Sequence, residues 1–323
     1  MRRGKSKTLT CGGYMTIATG SKETNLGQMK TLAREFVKPS RPRDPEHDFI
    51  NVFQKCRQDI AELLGPRLDD ARVMVLGCGY NYPDVALWST VVGGAVGVDV
   101  RRVFLRNGLG RLYKSLRRDG RGRFRSIGES IYRRRGYRAY CRRLRGLSGT
   151  DMDFAHQDLI SYDGKSLPFA DESFDVICSN AVLEHVSDLA TLAREMRRVT
   201  KEGGIGYHLW HNYYSLSGGH VSDRLALDRP WGHLLGDQDV AHHLRLSGTY
   251  LNKMLPSDIV KDLSNNLHSV SVFQVDKDHR KKGVDSAFSY EGERLLVPDL
   301  ESRLSPISRE VLLTRAYLLV GRR

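Results

Sequence analysis

Apolar positions in this chain fall into short runs, and these alternate with stretches of helical spacing. Val73–Leu76 is an apolar run. Gly77 and Gly79 follow it, Asp84–Val92 has the spacing of a helix opening onto that turn, and Gly97–Val100 is apolar again. Strand, glycine turn, helix and strand make a βαβ unit. A third run, 154–160, reads as a strand with Asp158 at its end. A fourth, Phe174–Cys178, has Asn180 at its C-terminal end. Next comes a helix with Leu192, Met196 and Val199 on one side, stopped at Gly203–Gly204, and then a fifth strand, Ile205–Trp210. Upstream, Phe49–Leu64 predicts a helix ended by Gly65–Pro66. Downstream, a helix ends within Val260–Leu267. The alternating runs Leu267–Val275 and Leu312–Val320 predict two more strands, with a helix between them in Gly283–Ser308. Strands alternating with helices predict an α/β fold around a parallel sheet.

The second strand ends on an acid, Asp99, 22 residues after Gly77. An acid at that distance takes ribose hydroxyls in nucleotide-binding βαβ units. The turn is short and lacks GK[ST], so it does not suit a phosphate chain. Gly77-Cys-Gly-Tyr-Asn-Tyr also lacks the GxGxxG or GxGxxA that a dinucleotide pyrophosphate needs, which argues against a dehydrogenase.

With FDVICSNAVLEHV leading to a helix and "GG", the order of elements over residues 71–212 resembles the class I S-adenosylmethionine-dependent methyltransferases. The resemblance implies a doubly wound, seven-stranded, mostly parallel sheet of Rossmann-like type, and S-adenosylmethionine as cofactor with S-adenosylhomocysteine as product. Its last two strands would form an antiparallel pair at the sheet edge. It implies that Gly77, Cys78 and Gly79 pass under the methionine and ribose, that Asp99 takes the ribose hydroxyls, and that Val100 packs on the adenine. Asp158 would face the adenine amino group with Leu159 beside it, and Asn180 would lie near the methionine end. Two positions depart from the family pattern: Val75 stands where an acid is common, and Asn81 where a third glycine is.

Composition adds one feature to this picture. The 323 residues are 40% hydrophobic and contain no 18-residue apolar run, so no transmembrane helix is expected. Residues 1–70 read as a basic lead-in plus one helix, without the apolar core of a signal peptide, and 71–323 as the methyltransferase domain. Five scattered cysteines show no CxxC pairing, so a reducing cytoplasm is the expected home. Cys78 sits where the turn needs a small side chain, not a nucleophile. The charge is concentrated: residues 101–150 hold 17 Lys and Arg against Asp119 and Glu129, a net +15, while the whole chain carries +13. This insertion after the second strand reads as two basic amphipathic helices hinged near Gly120–Gly128. Three partners compete for it: an anionic membrane surface, which would place the protein peripherally at the inner face; a phosphate group on the substrate; and RNA, the least favoured. A solvated cap over the cofactor site is the plain alternative.

Methyl transfer to a hydroxyl needs a base near pH 7, and histidine is the side chain of that range. Six of eleven histidines (His208, His211, His220, His233, His242 and His243) fall between 208 and 243, four of them in the segment 212–260, which is expected to cap the cleft. His211 and His220 are the leading base candidates, with His185 of LEHV third. Trp210, Tyr213, Tyr214 and Trp231 interleave with them, as a sugar-binding surface would require. "SGGH", "PWGHL" and "YLNKM" give a looser resemblance to methyltransferases of polysaccharide or glycan biosynthesis. A divalent ion held by His208 with Asp223 or Asp228 is conceivable on composition, but no HExxH-type spacing supports it, so no metal is expected. The expectation is O-methylation of a sugar- or glycan-like hydroxyl, on a lipid- or nucleotide-linked acceptor. An RNA or nucleobase methyltransferase is the enzymatic rival. It lacks the NPPY or DPPY signature, because the fourth strand ends Ser179-Asn180-Ala181-Val182. A non-catalytic binding protein on the same fold is the other rival.

Overall fold

The computed structural model describes residues 44–79, 83–100, 138–154, 157–247, 250–276, 280–282 and 290–323. They fall within one compact unit. The N-terminal lead-in, Asn81 and most of the Arg-rich insertion lie outside these residues.

Asp44 caps the first helix by accepting the Glu46 N–H at 3.0 Å. The helix runs as α1 (Pro45–His47), a π-helical stretch (Asp48–Gln54) and α2 (Lys55–Leu64). It stops at Gly65, whose φ of 59° suits glycine. Then follow β1 (Arg72–Leu76), α3 (Pro83–Trp88) and β2 (Gly94–Asp99). Helical residues 138–148 (α4) are the described part of the insertion. They bury Tyr140, Cys141 and Leu144 in the same core as Phe49 and Phe53, and the Tyr140 hydroxyl donates to Asp48 at 2.7 Å. Next come β3 (Asp158–Ser161), β4 (Phe174–Asn180), a 3-10 turn (Leu183–His185), α5 (Leu189–Val199) and β5 (Thr200–His211). A cap follows, made of α6 (Asp223–Asp228), α7 (Gly232–Leu235) and α8 (Gln238–Ser247). The chain closes with α9 (Pro256–Ser264), β6 (Ser269–Val275), β7 (Lys281–Lys282), α10 (Tyr290–Leu295), α11 (Pro298–Arg303), α12 (Arg309–Leu313) and β8 (Ala316–Arg322).

The strands form one sheet in the order β3-β2-β1-β4-β5-β8-β6-β7. β1 to β5 are mutually parallel, and β8 is antiparallel to both β5 and β6. Seven of these strands make the expected doubly wound sheet. The eighth is the two-residue β7, an addition at the β6 edge. The order reverses between β1 and β4, and open α/β sheets take ligands at the carboxyl ends of the strands on either side of such a point.

The period-two alternation of the strands separates two cores. Val73 and Val75 of β1, with Tyr207, Leu209 and Leu318, meet α2 and α3 through Ile60, Leu64, Val85 and Trp88. Met74 and Leu76, with Trp210, Tyr317 and Leu319, meet α5 and α9 through Leu192, Met196, Ile259 and Leu263. The cap has its own small core, where Trp231 packs with Leu296, Leu304, Leu312 and Leu313. The cap is therefore built jointly by the segment after β5 and by α10–α12.

Two outcomes follow for stability. Leu192 is fully buried, so Leu192→Ala leaves a cavity under the sheet and costs about 2–5 kcal/mol in urea unfolding; a cost below 1 kcal/mol would contradict this packing. His208 is buried in β5 with Nδ1 2.9 Å from the Ser179 hydroxyl, and burial lowers its pKa to about 4. The unfolded chain, near 6.5, takes up that proton first as pH falls. Stability is therefore present above about pH 6.5 and falls toward pH 4, by up to about 1.4 kcal/mol per pH unit for this one group. His208→Gln should flatten the fall by that increment; an unchanged slope would mean His208 protonates in place.

Candidate active site

The glycine turn is held by the end of β2. The N–H groups of Gly77 and Cys78 both donate to the Val98 carbonyl, at 2.7 and 3.2 Å, and the Gly79 N–H donates to Asp99 Oδ2 at 2.8 Å. Gly77 and Gly79 have φ of 67° and 66°, where a side chain is strained. At Gly77 a Cβ would also lie 2.3 Å from Val182, whereas the same position at Gly79 faces open space. Cys78 is buried, and burial together with Asp99 and Asp84 pushes its thiol pKa far up, so it is an inert side chain of the turn. Val100 leaves β2 with 56% of its surface exposed. An open glycine face, a carboxylate at the next strand end and an exposed apolar side chain beside it suit a ribose and a flat base. Asn180 ends β4 next to this edge and lines a mostly apolar pocket with Asn51, Phe53, Asp84, Trp88 and Tyr207. The residues present fit a nucleoside attached to a smaller polar group.

Two expected cofactor contacts move. Asp158 opens β3 instead of ending it: it pairs with Val96 and is exposed at the other end of the strand. Leu159 pairs with Gly97 inside the sheet, where a Cβ on that glycine would lie 2.7 Å from the leucine. The reason is local. Gln157 is tied to Ser89 at 2.7 Å and to the Asp153 carbonyl, so the chain is still a loop until Asp158. The acid that follows β3 is Asp163. The preceding Tyr162 N–H donates to the Asp99 carbonyl at 3.1 Å, which sets this loop beside the end of β2. The N–H groups of Ser166 and Lys165 each donate to Asp163 Oδ1 at 2.8 Å and hold its carboxyl below the usual range. Gly164 lies against Val100, so Asp163 takes the place expected of Asp158.

The second half of the site gathers around Glu184. This carboxylate sits in the 3-10 turn after β4 and is 1% exposed. Its Oε1 lies 3.7 Å from His211 Nδ1, 3.9 Å from His220 Nε2 and 4.0 Å from His185 Nε2. The three base candidates, distant in sequence, thus meet at one carboxylate. Burial pushes the Glu184 pKa up to about 8. The backbone N–H groups of Glu184 and His211 pull the other way, without making a well-formed hydrogen bond to either oxygen. Burial, then the neighbouring His185, His233 and Arg315, bring His220 down to about 4. His185 and His220 meet edge to face at 5.1 Å.

The three short motifs converge here. "SGGH" supplies His220, whose φ of 52° is strained for a histidine. "PWGHL" supplies His233, which packs against Gly219 and bonds the Tyr213 carbonyl at 2.8 Å. "YLNKM" holds the Glu184 turn: the Tyr250 carbonyl takes His185 Nδ1 at 2.8 Å, and the Asn252 amide donates to the Leu183 and Val186 carbonyls at 2.7 and 3.1 Å. Val182 links the two halves, since it is the residue that closes on Gly77.

Other expected groups are elsewhere. His208 is a core histidine, so no ion is held by it with Asp223 or Asp228; Asp228 pairs with Arg224 at 3.5 Å on α6. His242 and His243 lie on α8. Trp210, Trp231 and Tyr213 are buried, and the Trp231 indole donates to the Tyr214 carbonyl at 3.0 Å. These rings fill cores and offer no open face to a sugar. Sequence reasoning missed Glu184; its one signal was an acid inside the apolar stretch AVLEHV.

Residues 138–207 match the family model described as a methyltransferase domain. An uncharacterized methyltransferase of Mycobacterium sp. (strain KMS) is 47% identical over 57 residues, 18% of this chain and 23% of that protein. One from Mycobacterium tuberculosis (strain ATCC 25177 / H37Ra) is 48% identical over 50 residues, 15% of this chain and 20% of that protein. The match thus spans about a quarter or less of these relatives. A solved S-adenosylmethionine dependent methyltransferase from Mesorhizobium loti covers 83% of this chain and 98% of its own, at 14% identity and a TM-score of 0.41. Residues 138–207 are thus similar to a methyltransferase domain, and the strand order and the glycine turn tied to Asp99 are those that the resemblance to class I S-adenosylmethionine-dependent methyltransferases implies.

Proposed function

We propose that the chain transfers a methyl group to a hydroxyl oxygen of a sugar- or glycan-like acceptor, with the proton taken up at the histidines around Glu184. The observation that carries this reading is the convergence of His211, His220 and His185 on one buried carboxylate, joined to the glycine turn through Val182. When bound, S-adenosylmethionine supplies an activated methyl on a sulfonium and leaves as S-adenosylhomocysteine. Gly77, Gly79, Asp99, Val100, Asp163 and Asn180 would hold it. The chain itself must orient the acceptor and remove its proton, because a hydroxyl is barely ionised at neutral pH. His211 faces Glu184 through Nδ1, which makes Nε2 the atom to take that proton. His220, lowered to about 4, is a poor base, and His185 commits Nδ1 to Tyr250. The glycan assignment rests on the three motifs that build this site, not on an aromatic platform. The basic insertion would meet the anionic part of a lipid- or nucleotide-linked acceptor, or a membrane surface bearing it.

Asp99→Ala removes both a ribose partner and the anchor of Gly79, so S-adenosylhomocysteine should bind about 1.5–3 kcal/mol more weakly by calorimetry. Unchanged affinity would sink the assignment of this turn. With a panel of glycan acceptors, His211→Ala should lower turnover by about 10²–10⁴-fold and leave cofactor affinity intact. Wild-type turnover in that variant would transfer the base role to another residue.

A further inference from the structure

We propose that Glu184, His185 and His220 form a binding site for one divalent ion of the zinc type. Both Glu184 oxygens and His220 Nε2 are shielded from water and have no hydrogen-bond partner. Buried polar atoms left in that state are rare. The distances of 3.7–4.0 Å around Oε1 are too long for hydrogen bonds. One cation would satisfy all three atoms together.

The geometry suits coordination. One ligand atom from each of the three side chains lies within 4.8 Å of the others. Ligands about 2.0–2.2 Å from a tetrahedral ion stand roughly 3.3–3.6 Å apart, so a closure of about half an ångström suffices between Glu184 and each ring. His185 is already set for the role: Nδ1 donates to the Tyr250 carbonyl at 2.8 Å, which fixes the tautomer and leaves Nε2 with its lone pair toward Glu184. Metal-binding histidines are oriented by such a bond on the far nitrogen. Asn252 clamps the turn that carries Glu184 and His185. His220 is held at a strained φ by the N–H of its own backbone on the Ser217 carbonyl and by the packing of Gly219 on His233. Backbone strain persisting at a side chain aimed into a site is a mark of functional geometry.

Two imidazoles and one carboxylate favour zinc, cobalt, manganese or iron(II) over magnesium and calcium, which prefer oxygen ligands. Three protein ligands leave a coordination position open for an acceptor oxygen, with His211 beside it. Its use for lowering the acceptor hydroxyl pKa rests on the methyl-transfer reading; the site itself does not.

The test uses the full chain after chelator treatment and dialysis, titrated with zinc by calorimetry and with cobalt(II) by visible absorption. Binding of one ion per chain is expected, with the cobalt bands of a low-coordinate nitrogen and oxygen site. Glu184→Gln and His220→Ala should each weaken zinc at least 100-fold, while His242→Ala, on the exposed side of α8, should not. Circular dichroism on the same samples reports folding. No stoichiometric ion, or an ion kept equally tightly by folded Glu184→Gln and His220→Ala, would overturn the site. S-adenosylhomocysteine affinity of the metal-free chain is read in parallel. Its loss together with intact zinc binding would overturn the cofactor reading alone, and the reverse would overturn the metal alone.

Discussion

The structure turns on a carboxylate taken out of water. Glu184 is almost fully buried at the carboxyl edge of the sheet, with no hydrogen bond to either oxygen. Removing a charged group from water costs several kcal/mol unless it is neutralised or paired, and the upward shift of its pKa to about 8 is the measure of that cost. The surroundings are arranged to keep it there. The turn is pinned from one side by Asn252 and Tyr250, three histidines close over it, and Val182 locks it to the glycine turn of β1. A buried acid with a raised pKa beside three histidines at a sheet edge is a candidate functional site.

The sheet explains why these distant segments meet. Parallel strands deliver every β-to-α loop to the same edge. β1 brings the glycine turn, β2 brings Asp99, β4 brings Asn180 and the Glu184 turn, and β5 brings His211. The cofactor end and the histidine end thus adjoin without any long-range device beyond strand order. The cap adds His220 and closes the far side on its own small core around Trp231.

Much of this was legible in sequence where the signal is local. The apolar run, the two glycines and the acid after β2 lie within one βαβ unit, and their bonds run between neighbours in that unit. β3 starts at Asp158 and does not end there; apolar content does not mark where a strand starts. Side-chain bonds of Gln157 to Ser89 and Asp153 decide it, and the periodicity cannot reveal them. The aromatic residues near β5 suggest a ligand surface, yet Trp210 stacks on Tyr317 at 5.5 Å in the core and Trp231 packs in the small core of the cap. Composition cannot separate a ring facing solvent from one facing a neighbour. Glu184 was overlooked for a further reason: its meaning comes from residues 211, 220 and 250–252, which reach it only through the fold.

The most direct measurement is the position of the transferred methyl group. With S-adenosylmethionine carrying a ¹³C-methyl and bound to the full chain, nuclear Overhauser contacts can be read to histidine ring protons assigned by single substitutions. The account predicts contacts to His185 or His211 at the Glu184 site, lost when the assigned histidine is replaced. Saturating binding with methyl contacts only to other residues, such as the histidines of α8, would contradict it.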